Sequence, residues 1–121
     1  MSQHHRVLII EKEREIADKV RDSLENAGHH VEIALSPEVG LSIIGQRYMD
    51  VAVFDSELTL PDTIDTIEGM REGQPELPII VILPKEKRAK KHKILKRITY
   101  AILEKPLDYS TLLKKIQKAW S

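Results

Sequence analysis

No cysteine occurs in the 121 residues, so a disulfide framework is excluded; the absence fits a reducing compartment. No apolar run approaches the roughly 18 residues that a membrane span requires. The opening residues Met-Ser-Gln-His-His-Arg lack the apolar stretch of a secretion signal, and cytoplasmic residence is the expectation. No Gly-rich loop follows the first apolar run and no Gly-Lys-Ser/Thr occurs, which removes the common nucleotide-binding loops. Repeats, low-complexity tracts and linkers are also missing, so one domain over residues 1–121 is expected. Net charge is zero, but unevenly spread. Residues 85–97 hold eight Lys or Arg against one Glu, a local +7 that leaves −7 for the rest.

What the chain does have is 41% hydrophobic residues, set out in alternating short runs and amphipathic stretches. The run Asp50–Asp55, four apolar residues closed by an acid, reads as a buried central strand. Asp55 either opens an ordinary turn or is a carboxylate delivered to the sheet rim, where ligands of open α/β sheets gather. Val7–Ile10 is a second buried strand, again ending at an acid, Glu11. Ile16, Val20 and Leu24 mark a helix face that stops at Gly28. His30–Leu35 suits a strand nearer the edge, and Ser36-Pro37-Glu38 a helix start. Ile64, Ile67 and Met70 suggest a helix ending near Gly73, and Ile79–Leu83 is the most apolar strand. A basic helix over residues 86–97 has a thin apolar stripe of Ala89, Ile94 and Leu95, with Ile98 beyond it, and is expected to be weakly anchored. Tyr100–Leu103 is a last strand; Tyr109, Leu112, Leu113, Ile116 and Trp120 line a closing helix. Five strands alternating with five helices predict a parallel sheet covered on both faces.

Four features recur in a fixed order on these elements: the acidic cluster Glu11-Lys12-Glu13 after strand one, Asp55 ending strand three, Pro78 opening strand four, and Lys105-Pro106 after strand five. In these features the chain resembles the receiver domains of two-component response regulators over essentially its whole length. The resemblance implies a flavodoxin-like (βα)5 three-layer sandwich with a parallel sheet of order 2-1-3-4-5. It also implies that Asp55 accepts a phosphoryl group from a histidine kinase or phosphotransfer protein. Glu11, Asp55 and the backbone carbonyl of Glu57 would then hold Mg²⁺, and Lys105 would contact the phosphoryl group. A hard cation and a fixed ammonium suit this chemistry, because a carboxylate that attacks a phosphoryl group meets charge repulsion.

Departures from the family pattern are concentrated at the switch. Lys12 stands where a second acid is usual; it is expected within ion-pair reach of Asp55 or Glu11, weakening Mg²⁺ binding and partly replacing the cation. Leu83 takes the place of a Ser or Thr, and Ile102 that of an aromatic. These two residues are expected to pack in one apolar patch beneath the fourth helix. Thr59 and Thr63 replace the Pro and Gly of the loop after Asp55. Two readings follow: a phosphorylatable receiver with altered Mg²⁺ and switch residues, or a phosphorylation-independent pseudo-receiver that acts as an interaction module through the face of helix four, strand five and helix five. An output domain, a protein partner or a second copy is expected on that face, with Lys87, Lys90, Lys91 and Lys93 as contact residues. Nucleic acid is disfavoured because the basic segment has no aromatic for stacking and the remainder carries −7. His4, His5, His29 and His30 are expected to be solvated residues of a tail and a turn, and Trp120 to be either a packing residue or a partner-facing anchor.

Overall fold

A computed structural model of the chain describes residues 4–121, apart from the side chains of residues 86–92. Ten elements alternate among the described residues: β1 (Arg6–Ile10), α1 (Arg14–Asn26), β2 (His30–Ala34), α2 (Pro37–Gln46), β3 (Val51–Asp55), α3 (Leu60–Gly73), β4 (Ile79–Leu83), α4 (Lys85–Ile98), β5 (Ala101–Glu104) and α5 (Tyr109–Lys118). The strands pair in parallel in the order β2-β1-β3-β4-β5, the flavodoxin-like topology expected. Among the described residues no helix is long and apolar enough to cross a membrane.

Strand periodicity divides the core in two, because successive side chains point to opposite faces. Leu8, Ile10, Ala52, Phe54, Ile79, Val81 and Leu83 face α2, α3 and α4, where Ile44, Ile67, Met70 and Leu95 complete one cluster. Val7, Ile9, Val51, Val53, Ile80 and Ile82 face α1 and α5, where Val20, Leu24, Leu112 and Ile116 complete the other. With helices on both faces, the central strands carry no polar side, and every residue of β4 is buried.

Helix ends follow local chemistry. Ser36 Oγ accepts the Val39 N–H at 3.2 Å and Asp108 Oδ1 the Ser110 N–H at 2.9 Å, each satisfying a free donor of a first helical turn. After α1, Gly28 adopts φ +97°, a conformation that favours glycine. The C-terminal half of α4 is better anchored than its thin stripe suggests. Leu95 is fully buried, and the Arg71 guanidinium of α3 donates to the Ile98 carbonyl at 2.7 Å and to the Leu77 carbonyl at 3.0 Å.

Asp50 lies just before β3 rather than within it. Its Oδ2 accepts the Arg6 N–H at 2.7 Å, and its carbonyl accepts the Trp120 indole N–H, also at 2.7 Å. Trp120 therefore latches the end of the chain to the amino-terminal edge of the sheet. At the same edge, His5 and His29 correct the expectation of solvated histidines, since each is only 4% exposed. Their rings lie parallel with centroids 5.8 Å apart, and His29 Nδ1 accepts the backbone N–H of His5 at 3.0 Å. His4 meets His29 edge-on at 6.4 Å, and His5 Nδ1 stands 3.8 Å from Asp50 Oδ2.

Burial, and then the neighbouring His5 and His4, hold the His29 pKa below its ordinary 6.5. A proton on Nδ1 would face a backbone donor and break the bond to His5. The unfolded chain binds that proton first, so His29 costs stability as pH falls below about 6.5. Urea unfolding at pH 7.5 and pH 5.5 should show His29→Asn, whose Oδ1 keeps the acceptor, losing less stability on acidification than the wild type. The difference between the two proteins separates His29 from carboxylates that titrate in the same range; equal losses would contradict the assignment.

Candidate functional site

The strand order reverses beside β1, and the carboxyl ends of β1, β3, β4 and β5 open onto one rim. Backbone bonds continue past the strands and fix what stands there. The Glu11 N–H donates to the Ala34 carbonyl at 3.0 Å, Ser56 N–H to Ile82 at 3.1 Å and Lys105 N–H to Leu83 at 3.0 Å. Glu11, Asp55 and Lys105, scattered along the sequence, are thereby brought to one place. The Lys105–Pro106 peptide is cis.

A line of alternating charges crosses this rim. Lys105 Nζ lies 3.1 Å from Asp55 Oδ1 and 3.3 Å from Glu57 Oε2. The ion pair of Lys12 is not with Asp55 or Glu11, as its position in the sequence suggests, but with Glu57, Nζ to Oε1 at 3.5 Å. The Lys12 side chain is 62% exposed and that of Asp55 only 8%, so Lys12 reaches outward and Lys105 is the ammonium beside the buried acid. The Glu57 side chain, which joins the two lysines, was not singled out from the sequence, where only its carbonyl was assigned.

Burial sets the electrostatics. Glu11 is 3% exposed and its Oε1 has no hydrogen-bond partner. Desolvation, followed by repulsion from Asp55, pushes its pKa up to about 7, against the pull of Lys105. Asp55 is also raised by burial, with Lys105 opposing. Burial works against the Lys105 ammonium, but Asp55 and Glu57 outweigh it and hold its pKa above the ordinary value. Exposed Glu57 is held low, first by its hydrogen bond and charge contact with Lys105 and then by Lys12.

The loop after Asp55 is held by hydroxyls. Ser56 Oγ and Thr63 Oγ1, both fully buried, are 2.6 Å apart, and Thr63 Oγ1 also donates to the Thr59 carbonyl at 2.9 Å. Thr59 Oγ1 accepts the Asp62 N–H at 3.3 Å and caps α3. The two threonines that replace Pro and Gly thus close the loop by hydrogen bonding. Sequence reading missed this role; its signal is Ser56 and Thr63 one helical entry apart.

At the switch positions, Leu83 is fully buried and shares one cluster with Leu95, and partly buried Ile98 and Ile102 pack against it, as expected. Tyr100, the nearest aromatic to Ile102 in sequence, points its hydroxyl to the Lys115 carbonyl of α5 at 2.9 Å. Lys93 is exposed, whereas the side chains of Lys87, Lys90 and Lys91 lie outside the described residues. No group of three or more His, Asp or Glu side chains suited to a metal ion occurs among the described residues. Two carboxylates with a carbonyl still fit Mg²⁺, which keeps several waters. The unpartnered Glu11 Oε1 fits a cation; Lys105 on Asp55 Oδ1 competes with one.

Residues 7–117 match the family model described as the response regulator receiver domain. The transcriptional regulatory protein DltR of Streptococcus agalactiae is 27% identical over 112 residues, which cover 93% of this chain and 50% of that protein. Transcriptional regulatory protein PhoP of Escherichia coli is 23% identical over 112 residues, again 50% of its length. The chain spans about half the length of these curated relatives. Among solved structures, a CheY-like response regulator receiver domain protein from Methanospirillum hungatei is 26% identical with TM-score 0.83, covering 96% of this chain and 93% of that one. A receiver domain protein from Clostridium thermocellum has TM-score 0.82 at 23% identity, covering 94% and 92%.

Proposed function

The chain belongs to the response regulator receiver family, and from that premise we propose that Asp55 accepts a phosphoryl group from a histidine kinase or phosphotransfer protein in the cytoplasm. The observation that carries this reading is the nearly buried Asp55 carboxylate at the end of β3 with the Lys105 ammonium 3.1 Å away. In the step proposed, an Asp55 carboxylate oxygen bonds to phosphorus as the bond from phosphorus to the donor imidazole nitrogen breaks, and the imidazole leaves with a proton. Lys105 moves from the carboxylate to the incoming phosphoryl oxygens, and the fixed ammonium stabilises their charge. Glu11, Asp55 and the Glu57 carbonyl would hold Mg²⁺, which when bound neutralises charge on the transferring group. Glu57 pairs with Lys105 and Lys12 together, and Lys12 at the place of a second acid after β1 would weaken Mg²⁺ binding and so slow the transfer relative to a receiver with two acids there.

A second reading is favoured by the apolar patch of Leu83, Leu95, Ile98 and Ile102. With neither hydroxyl nor aromatic at these places, a phosphoryl group has nothing to pull. The α4–β5–α5 face would then hold one conformation and serve a protein partner, an output domain or a second copy regardless of phosphorylation.

Incubation with acetyl phosphate and Mg²⁺ followed by intact-mass measurement tests the acceptor. The expected result is a gain of one phosphoryl group, stable in acid and labile in base, that Asp55→Asn abolishes. No gain in the wild type, or an undiminished gain in Asp55→Asn, would remove Asp55 as the acceptor.

A further inference from the structure

A cleft of about 250 Å³ runs beside Glu11 and Asp55 into the layer between the sheet and α1 and α5. Its lining is mostly apolar: Ile9, Val53 and Ile82 from the strands, with Ile16 of α1 and Leu107 before α5. We propose that this cleft is a binding site for a compact arylmethyl amine, whose ammonium donates to Glu11 while its ring lies against Ile16 and Leu107.

Size and polarity both support this class of ligand. An apolar cavity of about 150 Å³ holds benzene, so the larger cleft takes a ring with an aminomethyl arm. Glu11 lines the cleft, is 97% buried by its 3% exposure, and carries an Oε1 without a partner. An unsatisfied buried acceptor gains most from a charged donor. One free oxygen suits a single ammonium better than a forked amidinium. Lys105, the ammonium already at the floor, is committed to Asp55 and Glu57. Lys19 also lines the cleft but is exposed; an anion placed there would gain only a solvated surface pair. The site does not depend on Asp55 being phosphorylated, and a negative result here leaves the acceptor reading as it stands.

The test is a ¹H–¹⁵N NMR titration of the 121-residue chain in magnesium-free buffer with benzylamine, benzyl alcohol and benzoate as probes. Benzylamine should give saturable shifts centred on Ile9, Ile16 and Leu107, binding about tenfold more tightly than the other two. Ile16→Trp, and separately Leu107→Trp, should fill the cleft and remove these shifts while the signals of α3, on the opposite face of the sheet, stay in place. Glu11→Gln should bring the amine to within about twofold of the alcohol, as expected once the ionic share of the hydrogen bond is gone. The proposal fails if benzylamine gives no saturable shift, if benzoate binds as well as the amine, or if the amine preference survives Glu11→Gln.

Discussion

Replacing Lys12 by Asp should raise the Mg²⁺ affinity of the domain by about tenfold or more, equivalent to about 1.4 kcal/mol. The change removes a positive charge from the rim and adds a carboxylate next to Glu11. At about 4 Å, each unit-charge pair near a protein surface is worth between about 1 and 4 kcal/mol, and a divalent ion doubles the effect. The Lys12–Glu57 pair lost in the variant is exposed on both sides, 62% and 42%, so fold stability should change by less than about 1 kcal/mol. Freed of Lys12, Glu57 would be left with Lys105 alone. Titration calorimetry is the suitable measurement, because Trp120, the one indole of the chain, is bonded to Asp50 at the far edge of the sheet and is a poor reporter of this rim. Tight Mg²⁺ binding by the wild type, or equal affinity in both proteins, would show that Lys12 does not oppose the cation.

Leu83→Thr, which installs the hydroxyl usual in the family, should destabilise the domain by about 2–4 kcal/mol rather than restore a switch. Leu83 is fully buried in a cluster with Phe54, Val81 and Leu95. The substitution leaves a void where branched carbons packed and places a hydroxyl among apolar neighbours. Urea denaturation reads the loss as a lower midpoint at unchanged slope. In the wild type, beryllofluoride should leave the NMR signals of Ile102, Leu95 and α5 in place, because the apolar patch offers the phosphoryl mimic no hydrogen bond. A destabilisation under about 0.5 kcal/mol, within the range of ordinary surface changes, or broad shifts across the α4–β5–α5 face, would contradict this account.

Much of the fold could be read from the residues in order. Val7–Ile10, Val51–Phe54 and Ile79–Leu83 are apolar without alternation because helices cover both faces of the sheet, and that pattern survives in one dimension. Ser36-Pro37 and Gly28 mark helix ends through their own backbone chemistry, which depends on immediate neighbours alone. Asp55 was legible as a rim residue because it closes an apolar run, and parallel strands carry such positions to a common edge; Lys105, separated from the last apolar run by Glu104, was legible only through the resemblance to receiver domains.

Other features depended on where side chains meet after folding. Lys12 adjoins Glu11 in the chain, yet Glu11 turns inward beneath the rim and Lys12 outward to Glu57, 45 positions away by their numbers. His5 and His29 stand in a tail and a turn, where histidines are commonly solvated. The β1–β2 register, which pairs Arg6 with His30, stacks the residues just before them and buries both rings. Local sequence determined which segments are strand and helix, because hydrophobic period, caps and turns act over a few residues. The tertiary structure alone decided which charge faces which, because a salt bridge or a stacked pair between distant residues depends on strand register and side-chain direction, and neither leaves a periodic trace in the chain.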